Sequence, residues 1–100
     1  MRFFWGPVSL VALLAALATP SFQETLLNAN ICIAAESVAG SEHILQMTVA
    51  YANERTQFGK HIGSFQAIKH PLANLFAEIE SARSAYHYAA WAVDSKSADR

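Results

Sequence analysis

Cysteine is almost missing from this chain: Cys32 is the single one, so no internal disulfide can form, and its place in the apolar run Ile31-Cys32-Ile33 reads as a small buried thiol. Proline and glycine are scarce, three and four in 100 residues, which leaves long stretches where nothing breaks a helix. Charge is scarce as well. Charged residues make up 15%, seven basic against eight acidic for a net charge of -1, and no basic block exists that could displace counterions from nucleic acid. No Gly-x-Gly-x-x-Gly or P-loop sequence occurs, so the chain has no phosphate cradle of its own. His43, His61, His70 and His87 do not fall at the i, i+4 spacing of a helical metal pair, and one cysteine completes no zinc set, so no metal site is expected. What is abundant is apolar: 53% hydrophobic composition excludes disorder. A chain of this length holds one small domain and buries a modest share of its surface alone, so partners are expected.

Residues 1–20 differ in kind from the rest. Arg2 precedes an apolar stretch over residues 3–18 that closes on Ala16-Leu17-Ala18 before Thr19-Pro20, the pattern of a signal peptide. It is shorter than the roughly 20 apolar residues of a membrane span. Two readings stay open: a working leader, or an apolar extension left by a truncated or misassigned frame or by an element whose partner is missing. Residues 1–20 are therefore set apart from a helical domain over 21–100.

Between residues 21 and 56 no proline occurs and glycine appears only at Gly40, which predicts one long helix. Ile31, Ala34, Ala35, Val38, Leu45, Val49 and Ala52 recur at three- and four-residue steps and form one stripe. Its many alanines predict close helix packing. Gly59-Lys60-His61-Ile62-Gly63 then turns the chain, and Ser64 is a fitting N-cap for a second helix over 65–94. Leu72, Leu75, Phe76, Ile79, Ala82, Tyr86, Ala90 and Val93 form its apolar face. Pro71 predicts a kink or a later start, Glu80 and Arg83 a surface pair, and residues 95–100 a fraying tail. Phe76, Tyr86, Tyr88 and Trp91 read as packing residues rather than a stacking platform. The fold class is all-α: an antiparallel helical hairpin forming part of an up-and-down helical bundle.

The chemistry concentrates at the bend. Arg55 offers a planar fork suited to two phosphate oxygens, Gln66 a donor and an acceptor, and the start of the second helix its free N–H groups, so the corner can hold an anion. An arginine near a helix C-terminus also caps carbonyls and complements the dipole, and spacing alone leaves both readings open.

The blocks Ala34-Ala35-Glu36-Ser37-Val38-Ala39-Gly40, Tyr51-Ala52-Asn53-Glu54-Arg55-Thr56-Gln57-Phe58-Gly59, Ile62-Gly63-Ser64-Phe65-Gln66-Ala67-Ile68-Lys69-His70 and Ala82-Arg83-Ser84-Ala85-Tyr86 with Ala89-Ala90-Trp91-Ala92-Val93-Asp94 follow one another in an informative order. In order and spacing they resemble the C-terminal domain of acyl-CoA dehydrogenases, across roughly residues 22–94. The resemblance implies a helical bundle packed across a subunit interface in a homo-oligomer, with FAD as cofactor. It implies that Arg55 holds the FAD pyrophosphate with Gln66 nearby, that Gln57 and Phe58 line the adenosine side, and that Ile62 adds apolar contact.

The same resemblance sets limits. Where many members carry an arginine beside the acyl-CoA, this chain has Asn30, and where a minority place the catalytic glutamate it has Ala29. Most members carry that base in a region that matches nothing in these 100 residues, so no catalytic residue is assigned. Among the glutamates, Glu36 in its small-residue run is the one to examine for burial. The expectation is a fragment of a FAD-dependent acyl-CoA dehydrogenase, inactive alone, whose full enzyme takes acyl-CoA as substrate and electron-transfer flavoprotein as partner. A cytoplasmic location is expected, with the leader leaving export open; the alternative is an exported or membrane-associated helical protein without enzymatic activity.

Overall fold

A computed structural model describes residues 7–98 of the chain. The described residues fall into two compact units divided between Asn30 and Ile31.

In the first unit, α1 (Pro7–Leu17) ends and α2 (Pro20–Glu54) begins around Thr19. Proline at the first helical position costs nothing, because the N–H it lacks would have no intrahelical partner, yet no hydrogen-bond ladder can run back through it. The carbonyl of Thr19 accepts from the N–H groups of Phe22 and Gln23, both at 3.1 Å. Side chains supplement the backbone bonds at the end of α1, where the Ala16 carbonyl already accepts from the Thr19 N–H at 3.2 Å. The Thr19 hydroxyl donates to the Ala16 carbonyl at 2.6 Å and the Gln23 amide donates to the Leu17 carbonyl at 2.9 Å. Leu10, Val11, Leu13, Leu14 and Leu17 are exposed. Among the described residues no single helix is long and apolar enough to cross a membrane, whereas the bent pair of α1 and α2 meets the length and apolarity together.

In the second unit, α2 runs on to Glu54, followed by the two-residue strands β1 (Thr56–Gln57) and β2 (Lys60–His61), a 3-10 turn over Ile62–Ser64, and α3 (Gln66–Ala98). Helix α2 persists across its serines and threonines because Ser37, Ser41 and Thr48 each donate to the carbonyl four residues back, at 2.8 Å. The strands pair antiparallel with Thr56 opposite His61 and Gln57 opposite Lys60. Phe58 and Gly59 connect them with φ of 54° and 79°, the two left-handed residues that an I′ hairpin turn requires. The Ile62 N–H donates to the Arg55 carbonyl at 2.9 Å and adds one rung to this ladder.

The two helices of this unit touch through side chains. Arg83 of α3 lies 2.6 Å from the Glu42 carboxylate of α2 and 3.3 Å from Glu80 on its own helix. The Glu80 pair is the one the sequence predicts; the Glu42 pair joins positions far apart in the chain. Burial is slight. Among the described residues only Leu45 and Ala52 are buried, and both belong to the predicted stripe of α2.

Several expectations need correction. Ser64 does not cap α3: its hydroxyl donates to the His61 carbonyl at 2.7 Å, inside the 3-10 turn. Phe65 takes the capping position instead, its carbonyl accepting from Ile68 and Lys69 at 3.0 and 2.8 Å. Helix α3 runs through Pro71 with no later start, although Pro71 lies past the first turn and its missing N–H leaves the Ala67 carbonyl without a helical donor. Residues 95–98 of the expected frayed tail are helical, while 99–100 lie outside the described residues. Cys32 is exposed rather than buried, because no described element packs on that side of α2. Glu36 is exposed. Phe76, Tyr88 and Trp91, expected as packing residues, stand in solvent in this chain.

Candidate functional site

The bend between α2 and α3 brings the predicted residues onto one short stretch of surface. Arg55 follows the last residue of α2, its N–H still donating to Tyr51 in helical fashion at 2.9 Å while its carbonyl already serves the hairpin. Both main-chain groups are thus fixed, and the side chain leaves from a defined point. The guanidinium is exposed and has no hydrogen bond or ion pair among the described residues. Of the two readings left open by its spacing, carbonyl capping is therefore not realised in this structure.

Gln57 lies in β1, exposed, and Gln66 opens α3, also exposed, and neither side chain has a partner among the described residues. Ile62 is half-buried at the start of the 3-10 turn. Phe58 is 92% exposed. A large aromatic side chain in the left-handed region is uncommon and costs on the order of 1 kcal/mol or more, and such strain concentrates where a side chain must be presented in a set direction. The ring meets Phe65 edge to face, centroids 6.2 Å apart. On the same Phe65 ring lies the Lys60 ammonium, 4.8 Å from the centroid.

Gly63 explains how the bend stays tight. A Cβ at that position would stand 3.0 Å from the Ala52 carbonyl oxygen and 3.3 Å from the Ala52 Cβ, so only glycine lets the 3-10 turn lie against the last turn of α2. The first N–H groups of α3 are free of intrahelical partners and complement negative charge. Between residues 54 and 66 the chain carries Arg55 and Lys60 against Glu54. Such a corner can bind an anion and stack on a planar ring. It holds no positioned acid–base pair, and no group of three metal-binding side chains exists among the described residues.

A second feature lies apart from these residues. A groove of about 520 Å³ between α2 and α3 is lined by Ser37, Val38, Ser41, Ile44, Leu45, Thr48, Leu72, Leu75, Glu78, Ile79 and Ala82. The hydroxyls on its α2 wall are spent on helix carbonyls, so apart from Glu78 it presents an apolar surface. Sequence reading missed three things here: the hairpin, the Lys60–Phe65 contact and the Glu42–Arg83 pair.

Fold and corner together define a helical module with an exposed cationic bend. Residues 19–100 match the family model described as acyl-CoA dehydrogenase, C-terminal domain, and the chain belongs to that family. It is 46% identical over 59 residues to acyl-CoA dehydrogenase IpdE2 of Mycolicibacterium smegmatis, covering 59% of this chain and 19% of that protein. It is 45% identical over 73 residues to the probable acyl-CoA dehydrogenase YngJ of Bacillus subtilis, covering 73% and 19%. It is 34% identical over 73 residues to the caffeyl-CoA reductase-Etf complex subunit CarC of Acetobacterium woodii, again covering 73% and 19%. The match thus spans about a fifth of the length of these relatives. No solved structure matches the chain.

Proposed function

We propose that this chain is the part of a FAD-dependent acyl-CoA dehydrogenase that contributes cofactor contacts and helical subunit packing. The observation that carries the reading is the exposed, partnerless Arg55 fork on a bend whose backbone is fixed on both sides. Its neighbours suit an adenine dinucleotide: a diphosphate meets a guanidinium and a helix N-terminus, and an adenosine meets Phe58 and the Gln57 amide. Arg55 holds the pyrophosphate, Gln66 adds a hydrogen bond beside it, and Ile62 covers apolar atoms. FAD supplies the hydride acceptor for α,β-dehydrogenation of an acyl-CoA thioester. These residues bind and orient; none removes the α-proton, which needs a desolvated base and an electrophile on the thioester carbonyl. The 100 residues by themselves are therefore inactive. The apolar groove and the exposed aromatic residues of α3 serve packing in a homo-oligomer. The Etf complex named for the Acetobacterium relative supports electron-transfer flavoprotein as the electron acceptor. A cytoplasmic location accompanies this reading; an intact mass that includes residues 1–18 after expression supports it, and their loss counts against it.

The test is a titration of the isotope-labelled chain with ADP, which carries the adenosine and diphosphate without the flavin. Amide and side-chain signals of Arg55, Gln57 and Gln66 should move with a millimolar-range affinity, on the order of 4 kcal/mol. Arg55→Ala should abolish the response and Arg55→Lys should weaken it, since an ammonium cannot grip two oxygens at once. Signals that stay still up to saturating ADP refute the reading. Flavin bleaching by the chain with FAD and acyl-CoA would refute inactivity.

A further inference from the structure

Phe65 occupies a junction that no predicted role explains. Its carbonyl caps α3, accepting from Ile68 and Lys69, so its backbone moves with the helix. Its ring faces the hairpin from that fixed position, meeting the Phe58 ring edge to face at 6.2 Å and receiving the Lys60 ammonium at 4.8 Å. Phe58 occupies the turn and Lys60 opens β2, so both arms of contact come from the hairpin and both end on one ring.

A hairpin with two-residue strands has too few rungs to order itself in water. It also carries the cost of a left-handed phenylalanine at its turn. Something outside the ladder must offset both, and the Ile62–Arg55 rung holds only the base. We propose that Phe65 and Lys60 are positioning residues: the ring on the α3 cap, clamped between Lys60 and Phe58, latches the hairpin tip to the start of α3 and so sets Gln57 and Phe58 relative to Gln66. The inference rests on the proposed cofactor contact for its consequence, but the latch itself is a property of this chain. Lys60 then acts through the Phe65 ring and touches no ligand.

Two readouts separate the latch from the binding site. In the wild-type chain the Lys60 side-chain methylene protons should resonate upfield through the ring current of Phe65, and Phe58 should keep the amide coupling of a left-handed residue. Phe65→Leu and Lys60→Met should each change the Phe58 coupling while leaving helix content by circular dichroism unchanged; Phe65→Tyr, which keeps the ring, should keep the upfield Lys60 shift, and Phe65→Tyr and Lys60→Arg should both keep the Phe58 coupling. The ADP response of Gln57 should weaken about two- to fivefold in the first pair, the equilibrium worth of an exposed cation–π contact, and return in the second. Loss of the signatures together with an unresponsive wild type supports the latch and overturns the cofactor reading. A Phe58 coupling unchanged by Phe65→Leu, or equal ADP affinity in all four variants when the wild type binds, overturns the latch.

Discussion

Replacing Gly63 with alanine should open the bend, and the size of the effect follows from one contact. The added Cβ would lie 3.0 Å from the Ala52 carbonyl oxygen and 3.3 Å from its carbon, where ordinary carbon–oxygen contacts begin near 3.3 Å. The obstacle is backbone in the last turn of α2, which cannot rotate aside as a side chain would, so the 3-10 turn must retreat by a few tenths of an ångström. Overpacking of this kind costs about 1–3 kcal/mol. The adjacent Ile62 N–H, bonded to the Arg55 carbonyl at 2.9 Å, reports the opening directly. Its hydrogen exchange should quicken about 5- to 150-fold, up to the unprotected rate. Two other glycines are controls. Gly40 has no atom within 4 Å of its added Cβ, so Gly40→Ala should stabilise α2 by about 0.5–1 kcal/mol, seen as a raised thermal midpoint. Gly59 also faces open space, but its φ of +79° makes alanine cost about 1–2 kcal/mol through backbone strain alone. An Ile62 amide unchanged by Gly63→Ala refutes the claim that close approach, not turn conformation, fixes that glycine.

Phe58→Asn relieves the left-handed strain but removes the ring that meets Phe65, so the Gln57 and Lys60 amides should exchange no more slowly than in the wild type and the ADP response should fall; exchange rates and the titration measure the two separately. Glu42→Gln should lower the thermal midpoint measured by circular dichroism, with an effect that fades as salt is added, because the Arg83 pair is partly exposed. The Glu42 side chain, by hydrogen bond and charge, holds the Arg83 guanidinium above its ordinary range. A raised pKa on a cation stabilises the fold at all pH below the unfolded value and is lost only as pH climbs through the folded one. Helix content should therefore show no loss from this pair between neutral pH and about 10. Replacing Phe76, Tyr88 and Trp91 together with serine should reduce self-association in sedimentation without lowering helicity, since all three are exposed in the single chain.

How legible each feature was depended on how local its cause is. The long helices could be read because proline and glycine are scarce in them, with only Gly40 inside α2 and Pro71 inside α3, a property of the chain itself. The hairpin could not: its strands are two residues long, and phenylalanine at the first turn position carries none of the Asn-Gly or Asp-Gly signal of such turns. Ser64 had the composition of a cap, but the 3-10 turn claimed its hydroxyl. Cys32 was judged by its apolar neighbours in sequence, whereas burial is decided by what packs from outside, and in this chain nothing described does. Glu42 and Arg83 meet only once the chain has bent, and neither position carried a sign of the other. The residues of the candidate corner were legible as chemistry because a fork, an amide and a glycine turn sit within twelve positions, but their fixed backbone and the Phe65 clamp emerge only in three dimensions.

These two kinds of cause separate the chain physically. The bend is held by short-range contacts: the Ile62–Arg55 rung, the Gly63 approach to Ala52, and the rings of Phe58 and Phe65, all within residues 52–65. None of them requires another polypeptide. The helix faces are the reverse case, since among the described residues only Leu45 and Ala52 are buried while Leu75, Phe76 and Trp91 remain in water. Apolar surface of that extent gains about 25 cal/mol for each Å² removed from solvent, so covering it would add stability that this chain's own core does not supply. A module built this way keeps its cationic corner shaped by its own short-range contacts, and the cofactor contact proposed for it would then be preorganised before assembly.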